Sequence, residues 1–170
     1  MGYQLSEREL DRLATAFHEA GHAVAAVVLG GRVHQVLVDD HPRTEFTTLP
    51  AGTTSAVALA GPWSEARWTN GRVPGPADVR AALSRNGSDD QALCAAGGPH
   101  QGAFVVPLLE RCWPAVKVLT KTLYFNGRGG HADVTAALGL PDEGGPGSLG
   151  LAMIRSGSGP NTFRVSRSTR

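Results

Sequence analysis

The chain has 170 residues, which is enough for a single domain with one hydrophobic core. A formal net charge of +1 gives no general attraction to nucleic acid or anionic membranes. With 41% hydrophobic and 18% charged residues, the composition is that of a globular protein and excludes wholesale disorder. The start of the chain has no signal-peptide pattern, and the longest apolar run, residues 23–29, is too short to span a bilayer. We therefore expect a cytoplasmic protein with no membrane segment and no nucleic-acid partner.

The first predicted element is a long helix over residues 7–29. Ser6 and Glu9 have the spacing of a capping box, and apolar residues then recur with the helical period until a Gly-Gly pair ends the pattern. After Ala14 the opposite side of the helix also becomes small and apolar. A helix that is apolar most of the way round is typically buried. We therefore expect this helix to run through the middle of the domain.

Two strands are predicted next, at residues 33–38 and 44–49. Both stretches are rich in β-branched residues, and a turn-forming Asp-Asp-His-Pro segment separates them, so we expect the strands to pair. A second long helix should follow, capped by Thr53 or Thr54. Because proline cannot donate a backbone hydrogen bond, Pro62 is expected to bend or split this helix.

The remainder of the chain predicts further helices and then a tail. Residues 142–170 are rich in Gly, Ser and Pro, and they could form a hairpin of residues 149–154 and 162–165 or stay loosely ordered. The expected fold class is α+β, mostly α, in which residues 1–141 form a domain whose buried helix packs on a small sheet. The further helices are predicted at residues 79–85, from 88 to about 97, 106–124 and 131–138.

The candidate chemistry lies in the first helix, where His18, Glu19 and His22 match the pattern His-Glu-x-x-His. Residues four apart on a helix share one face, so both imidazoles can reach one metal ion, and Glu19 can reach a metal-activated water without being a ligand. Burying three such side chains without partners in an apolar helix would cost several kcal/mol. The pattern therefore indicates a hydrolytic zinc site, with Glu19 as the catalytic base.

The same residues resemble a known family. Residues 15–24, with the sequence Thr-Ala-Phe-His-Glu-Ala-Gly-His-Ala-Val, look like the motif helix of the FtsH-type zinc metalloprotease domain. Residues 33–50 are similar in layout to that family's strand pair ending in Leu-Pro, and residues 59–66 are similar to its Ala-Gly-x-x-Ala-Glu-Glu helix. The resemblance covers about residues 8–140, and the motif helix is its specific part.

This resemblance implies a third metal ligand, an Asp at the start of a helix after a Gly-containing loop. Asp78 fits best, because its sequence context and its distance after Glu65 are similar to those of the family. Asp90 has similar neighbours but lies further along the chain, whereas Glu65 would give a His, His, Glu site. Each has an ordinary interpretation as well: helix-capping carboxylates for Asp78 and Asp90, and support of a ligand for Glu65.

The chain also departs from that family. The family's enzymes carry an ATPase module and membrane anchors, neither of which is seen in this sequence, and no Gly-x-x-x-x-Gly-Lys-Ser/Thr phosphate loop is present. Pro62 and Trp63 replace small residues in the second helix. Any activity of this chain is therefore expected to be independent of ATP, and a separate ATPase or regulatory partner is left open.

The function expected from these residues is that of a zinc metallopeptidase. His18, His22 and Asp78 would hold Zn2+, and a metal-activated water would hydrolyse peptide bonds of a peptide or protein substrate. The alternative is a non-catalytic zinc-binding or protein-interaction module derived from a peptidase. Glu19 favours the enzyme, and the small size of the chain favours the module.

Overall fold

The computed structural model describes residues 4–162, and over this range it confirms an α+β fold that is mostly helical. A 3-10 helix, Pro99–Val105, leads directly into the helix that begins at Val106. The strands are β1 (Arg32–Leu37), β2 (Arg43–Thr47) and β3 (Arg128–Gly129). The helices are α1 (Glu7–Val28), α2 (Thr54–Asn70), α3 (Pro76–Leu83), α4 (Gly87–Ala95), α5 (Val106–Asn126), α6 (His131–Ala137) and α7 (Leu149–Ser156).

Helix α1 is the buried centre of the molecule, as the sequence predicts. Its first turn is closed by the expected capping box, in which the Ser6 backbone N–H donates to the Glu9 carboxylate at 2.8 Å. Every residue from Ala16 to Val28 is buried, and the helix packs chiefly against α2 and α5. The candidate motif residues therefore lie in the most enclosed part of the fold.

Helix α2 lies very close to α1, and two glycines make this approach possible. A Cβ atom at Gly21 would lie 2.7 Å from Ser64 Cβ, and one at Gly61 would lie 2.6 Å from His22 Cε1. Of the two effects expected of Pro62, a bend or a split, the split does not occur, since α2 continues through Pro62 from Thr54 to Asn70. Packing of the buried segment around Pro62 against α1 outweighs the missing backbone hydrogen bond.

The predicted strand pair forms, with β1 and β2 antiparallel and an irregularity in the register between Val33 and Gln35. A two-residue strand that the sequence does not predict, β3, pairs with the other side of β1 and gives the order β2-β1-β3. In the described part of the chain, β2 is therefore an edge strand. This edge lies beside α1 and faces the candidate site.

Residues 149–154 are helical, so the prediction of a hairpin strand there is wrong. The Ser148 hydroxyl accepts a hydrogen bond from the Leu151 backbone N–H at 3.2 Å and so caps α7. Leu151 and Ile154, three residues apart, are buried on one face, and Arg155 Nε donates to the Val28 carbonyl at 2.6 Å. Packing of this segment against α1 therefore favours a helix over a strand at residues 149–154. Most of the proposed second strand, residues 163–165, lies outside the described residues.

No helix among residues 4–162 is long and apolar enough to cross a membrane.

Candidate metal centre

The two motif histidines lie one turn apart on α1 and point into the same space. Their Nε2 atoms are 3.0 Å apart, and His18 and His22 are only 6% and 8% exposed. A turn of helix thus brings the two imidazoles together as their spacing predicts. Two buried nitrogen atoms at this distance need a proton or a metal ion between them, because two lone pairs facing one another repel.

The second nitrogen of His22 is fixed by the neighbouring helix. Its Nδ1 atom lies 2.7 Å from the backbone carbonyl of Val57 on α2. A carbonyl oxygen can only accept, so Nδ1 carries the proton and donates, which leaves the Nε2 lone pair free to bind a metal ion. Gly61 provides the room for this ring, because any side chain there would overlap it.

The second nitrogen of His18 is held by Glu65, also on α2. His18 Nδ1 lies 3.1 Å from Glu65 Oε2, and Asn86 Nδ2 donates to the same oxygen at 2.9 Å. Arg85 Nη2 donates to the other oxygen at 2.7 Å. Burial raises the pKa of Glu65, but the hydrogen bonds from His18 and Arg85 outweigh this effect and lower it overall. Glu65 is therefore an ionised residue that orients a histidine.

A carboxylate from the first turn of α4 completes the group. Asp89 Oδ2 lies 3.0 Å from His18 Nε2 and 3.3 Å from His22 Nε2. Ligands at about 2.0–2.1 Å in a tetrahedral zinc site are about 3.3 Å from one another. The three atoms therefore have close to the separation that one such ion requires, and among the described residues His18, His22 and Asp89 are the group that could hold a metal ion.

The charges around this group favour a cation. Burial lowers the pKa of His18, but hydrogen bonds to Asp89 and Glu65 outweigh it and raise the pKa to about 9. Burial likewise raises the pKa of Asp89, but the bonds to His18 and His22 hold it well below the usual range of an aspartate. Two ionised carboxylates thus stabilise positive charge at the histidine pair, whether a proton or a metal ion supplies it.

The structure does not bring Asp78 to the histidines. Helix α3 begins at Pro76, so Asp78 is the third residue of the helix, and its Oδ2 accepts a bond from the Gly75 backbone N–H at 2.8 Å. Arg72 Nη1 lies 2.9 Å from the same oxygen. The Gly75 N–H and the Arg72 guanidinium lower the pKa of Asp78. Its observed contacts are those of a helix-capping carboxylate.

The two alternative ligands, Glu65 and Asp90, are not among the three atoms that converge either. Glu65 contacts Nδ1 of His18, on the far side of the ring from Asp89. Asp90 is exposed, because successive residues on a helix are turned by about 100° and only its neighbour Asp89 faces the histidines. Asp89 is thus a candidate ligand that the sequence did not single out, although a helix is predicted from residue 88 and its neighbour Asp90 is one of the alternatives.

Glu19 lies in the same cleft as the three candidate ligands but is not one of them. The residue is 5% exposed, and its Oε2 accepts a hydrogen bond from the hydroxyl of Thr44 on β2 at 2.7 Å. Glu19 therefore lines the same cleft as the three candidate ligands, where a carboxylate could take a proton from a water molecule.

These side chains line one cleft of about 1170 Å³. Its walls come from α1, β2, α2 and α4, with Thr44 on one side and Trp68 on another. An apolar cleft that contains a few converging polar groups is the usual form of a binding site.

A comparison with known protein families gives a match over the part of the chain that contains α1 and most of α2. Residues 6–65 match the family described as Peptidase M50B-like. The matched segment contains His18, Glu19, His22 and Glu65 but ends before Asp89. No curated protein matches the chain. The match does not single out the FtsH type, and it supports the presence of a metallopeptidase-family domain in this chain.

Proposed function

We propose that this chain is a zinc-dependent peptidase that hydrolyses peptide bonds independently of ATP. The observation that carries the proposal is the convergence of His18 Nε2, His22 Nε2 and Asp89 Oδ2 within 3.3 Å of one another, with Glu19 beside them in the same cleft. Catalytic zinc sites have three protein ligands, whereas structural sites are normally closed by four. The described residues offer three, which favours the catalytic type.

Zinc is the ion that this donor set fits best. Imidazole nitrogen and carboxylate oxygen are ordinary zinc ligands, and the separations of the three atoms match a tetrahedral site. The outer contacts also fit, since each histidine donates its other N–H, one to Glu65 and one to the Val57 carbonyl. Such partners fix the ring orientation and make the imidazole a stronger ligand.

In the proposed hydrolysis, the metal ion and Glu19 have separate roles. Zinc would supply Lewis-acid chemistry, which lowers the pKa of water and polarises a carbonyl group. Glu19 accepts the proton of the attacking water and then delivers it to the nitrogen of the leaving amine. Because Glu19 is adjacent to His18 on the helix, it reaches the reacting atoms without occupying a ligand position.

The shape of the cleft favours an extended peptide as substrate. Within the sheet formed by residues 4–162, β2 is an edge strand, and its residues Arg43, Thr44 and Phe46 line the cleft. An edge strand offers free backbone N–H and C=O groups, to which an extended peptide can pair. We propose that a segment of peptide or protein substrate lies along β2, with its scissile bond beside Glu19.

The experiment compares wild type with Glu19→Gln, each stripped with a chelator and reloaded with zinc. Hydrolysis of a mixed peptide library is measured together with zinc content and the melting curve. We expect wild type to be active only with zinc, and Glu19→Gln to keep its zinc and its melting temperature while activity falls by about two to four orders of magnitude. A zinc-loaded wild type that hydrolyses nothing and unfolds when the metal is removed would instead indicate the non-catalytic module.

A further inference from the structure

The hydroxyl of Thr44 is joined to the side chain of Glu19. Thr44 Oγ1 lies 2.7 Å from Glu19 Oε2 and 3.2 Å from the Glu19 backbone carbonyl. A hydroxyl has one proton, and the shorter contact is the one expected of an O–H group that donates to an ionised carboxylate. Within residues 4–162, Thr44 is the hydrogen-bond donor found for the Glu19 carboxylate.

The sheet determines the direction in which Thr44 points. Thr44 is paired with Val36 of β1, and directly paired residues of antiparallel strands project from the same face of the sheet. Val36 is completely buried, so this face is the one that packs on the core. Thr44 is half-buried on the same face, and its hydroxyl therefore points toward α1.

We propose that Thr44 is a positioning residue for Glu19, an inference that rests on the proposed peptidase function. Glutamate has a flexible side chain, and α1 fixes only its backbone. The bond from Thr44 fixes Oε2, which leaves Oε1 as the oxygen that receives the proton of the attacking water. A base that is already held in its reactive orientation reacts faster, because no conformational freedom of its side chain has to be lost during the reaction.

The first test separates the hydroxyl from the shape of the side chain. Thr44→Val has nearly the same shape but no hydroxyl, whereas Thr44→Ser keeps the hydroxyl. With zinc-loaded protein and a peptide substrate, we expect Thr44→Val to lower kcat about 10-fold or more, with KM and zinc content unchanged. Thr44→Ser should restore most of the rate. The matched control is Thr122→Val on α5, also half-buried and bonded through its hydroxyl but outside the cleft, which should leave kcat unchanged.

The second test needs no activity. The melting temperature of the metal-free protein is measured for Thr44→Val, Glu19→Met and the double variant. If Thr44 donates to Glu19, Thr44→Val should lower the melting temperature more when Glu19 is present than when it is replaced by Met, which cannot accept the bond in the same way. Equal losses in the two backgrounds would show that Thr44 does not hold Glu19, and would overturn the proposal.

The two tests fail in distinguishable ways. A coupled melting result with wild-type kcat in Thr44→Val would overturn the positioning role while leaving the peptidase intact. Equal loss of rate in Thr44→Val and Thr44→Ser would also overturn it, because the hydroxyl would not be the group that matters. A zinc-loaded wild type without hydrolytic activity would overturn the proposed function and this role with it, whereas the melting cycle would still report whether the contact exists.

Discussion

His18 and Glu65 are hydrogen-bonded across the interface of α1 and α2, with 3.1 Å between Nδ1 and Oε2. The bond turns the imidazole so that its other nitrogen, Nε2, faces Asp89 at 3.0 Å. Glu65 is itself held by Arg85 and Asn86, which follow helix α3. The segment that leads to Asp89 and the helix that carries His18 are therefore tied together through one carboxylate.

This arrangement predicts that Glu65 acts on zinc affinity without touching the metal. Glu65→Gln keeps the shape of the side chain but removes the charge that strengthens His18 as a ligand, so we expect zinc to bind about 10- to 100-fold more weakly. Titration against a chromophoric chelator measures the change. Glu110→Gln is the control, because Glu110 also binds an arginine, Arg67, but lies outside the cleft. Equal affinities of wild type and Glu65→Gln would contradict the assigned role.

The choice of third ligand can be tested with three matched variants. Asp89→Asn should weaken zinc binding by at least as much as Glu65→Gln, since it removes a ligand charge. Asp90→Asn and Asp78→Asn should leave zinc binding unchanged, although Asp78→Asn should lower the melting temperature slightly through loss of its bond with Gly75. Zinc titration and melting curves are recorded for all three. Loss of zinc in Asp78→Asn but not in Asp89→Asn would return the assignment to Asp78.

Much of this site could be predicted from the sequence because its signals are local. The capping box, the helical period and the spacing of His18 and His22 all lie within α1, and each indicates the same buried helix. Asp89 could not be chosen in this way. Several carboxylates begin helices, and the one that meets the histidines is decided by the α3–α4 turn and by the packing of buried Leu83 and Leu93.

The difference between local signals and tertiary contacts also explains why α7 and β3 were not predicted from the sequence. The segment of residues 149–154 has little in its sequence to separate strand from helix, and its conformation depends on contacts with α1 and α5, which are far away in the chain. Strand β3 is only two residues long, too short for any periodic pattern, and exists because it pairs with β1. In both cases tertiary contacts outweigh local preference.

The close approach of α1 and α2 makes Gly61 a sensitive position. In Gly61→Ala the new Cβ would lie 2.6 Å from His22 Cε1, so the ring or the helix must move. We expect a loss of stability of about 1–3 kcal/mol, as for other overpacked cores, and a clear loss of zinc affinity. Chemical denaturation and zinc titration measure the two effects. The control is Gly147→Ala, where nothing lies within 4 Å of the added atom. Unchanged zinc affinity in Gly61→Ala would contradict the described position of His22.

Elemental analysis of protein purified without added metal measures directly whether His18 and His22 hold one zinc ion. Wild type and a control variant, His100→Ala, whose histidine is exposed, should each contain close to one zinc per chain. His22→Ala, shown by circular dichroism to be folded, should contain almost none, because two ligands hold zinc far more weakly than three. Equal zinc content in wild type and His22→Ala, or none in either, would show that this histidine pair does not hold zinc.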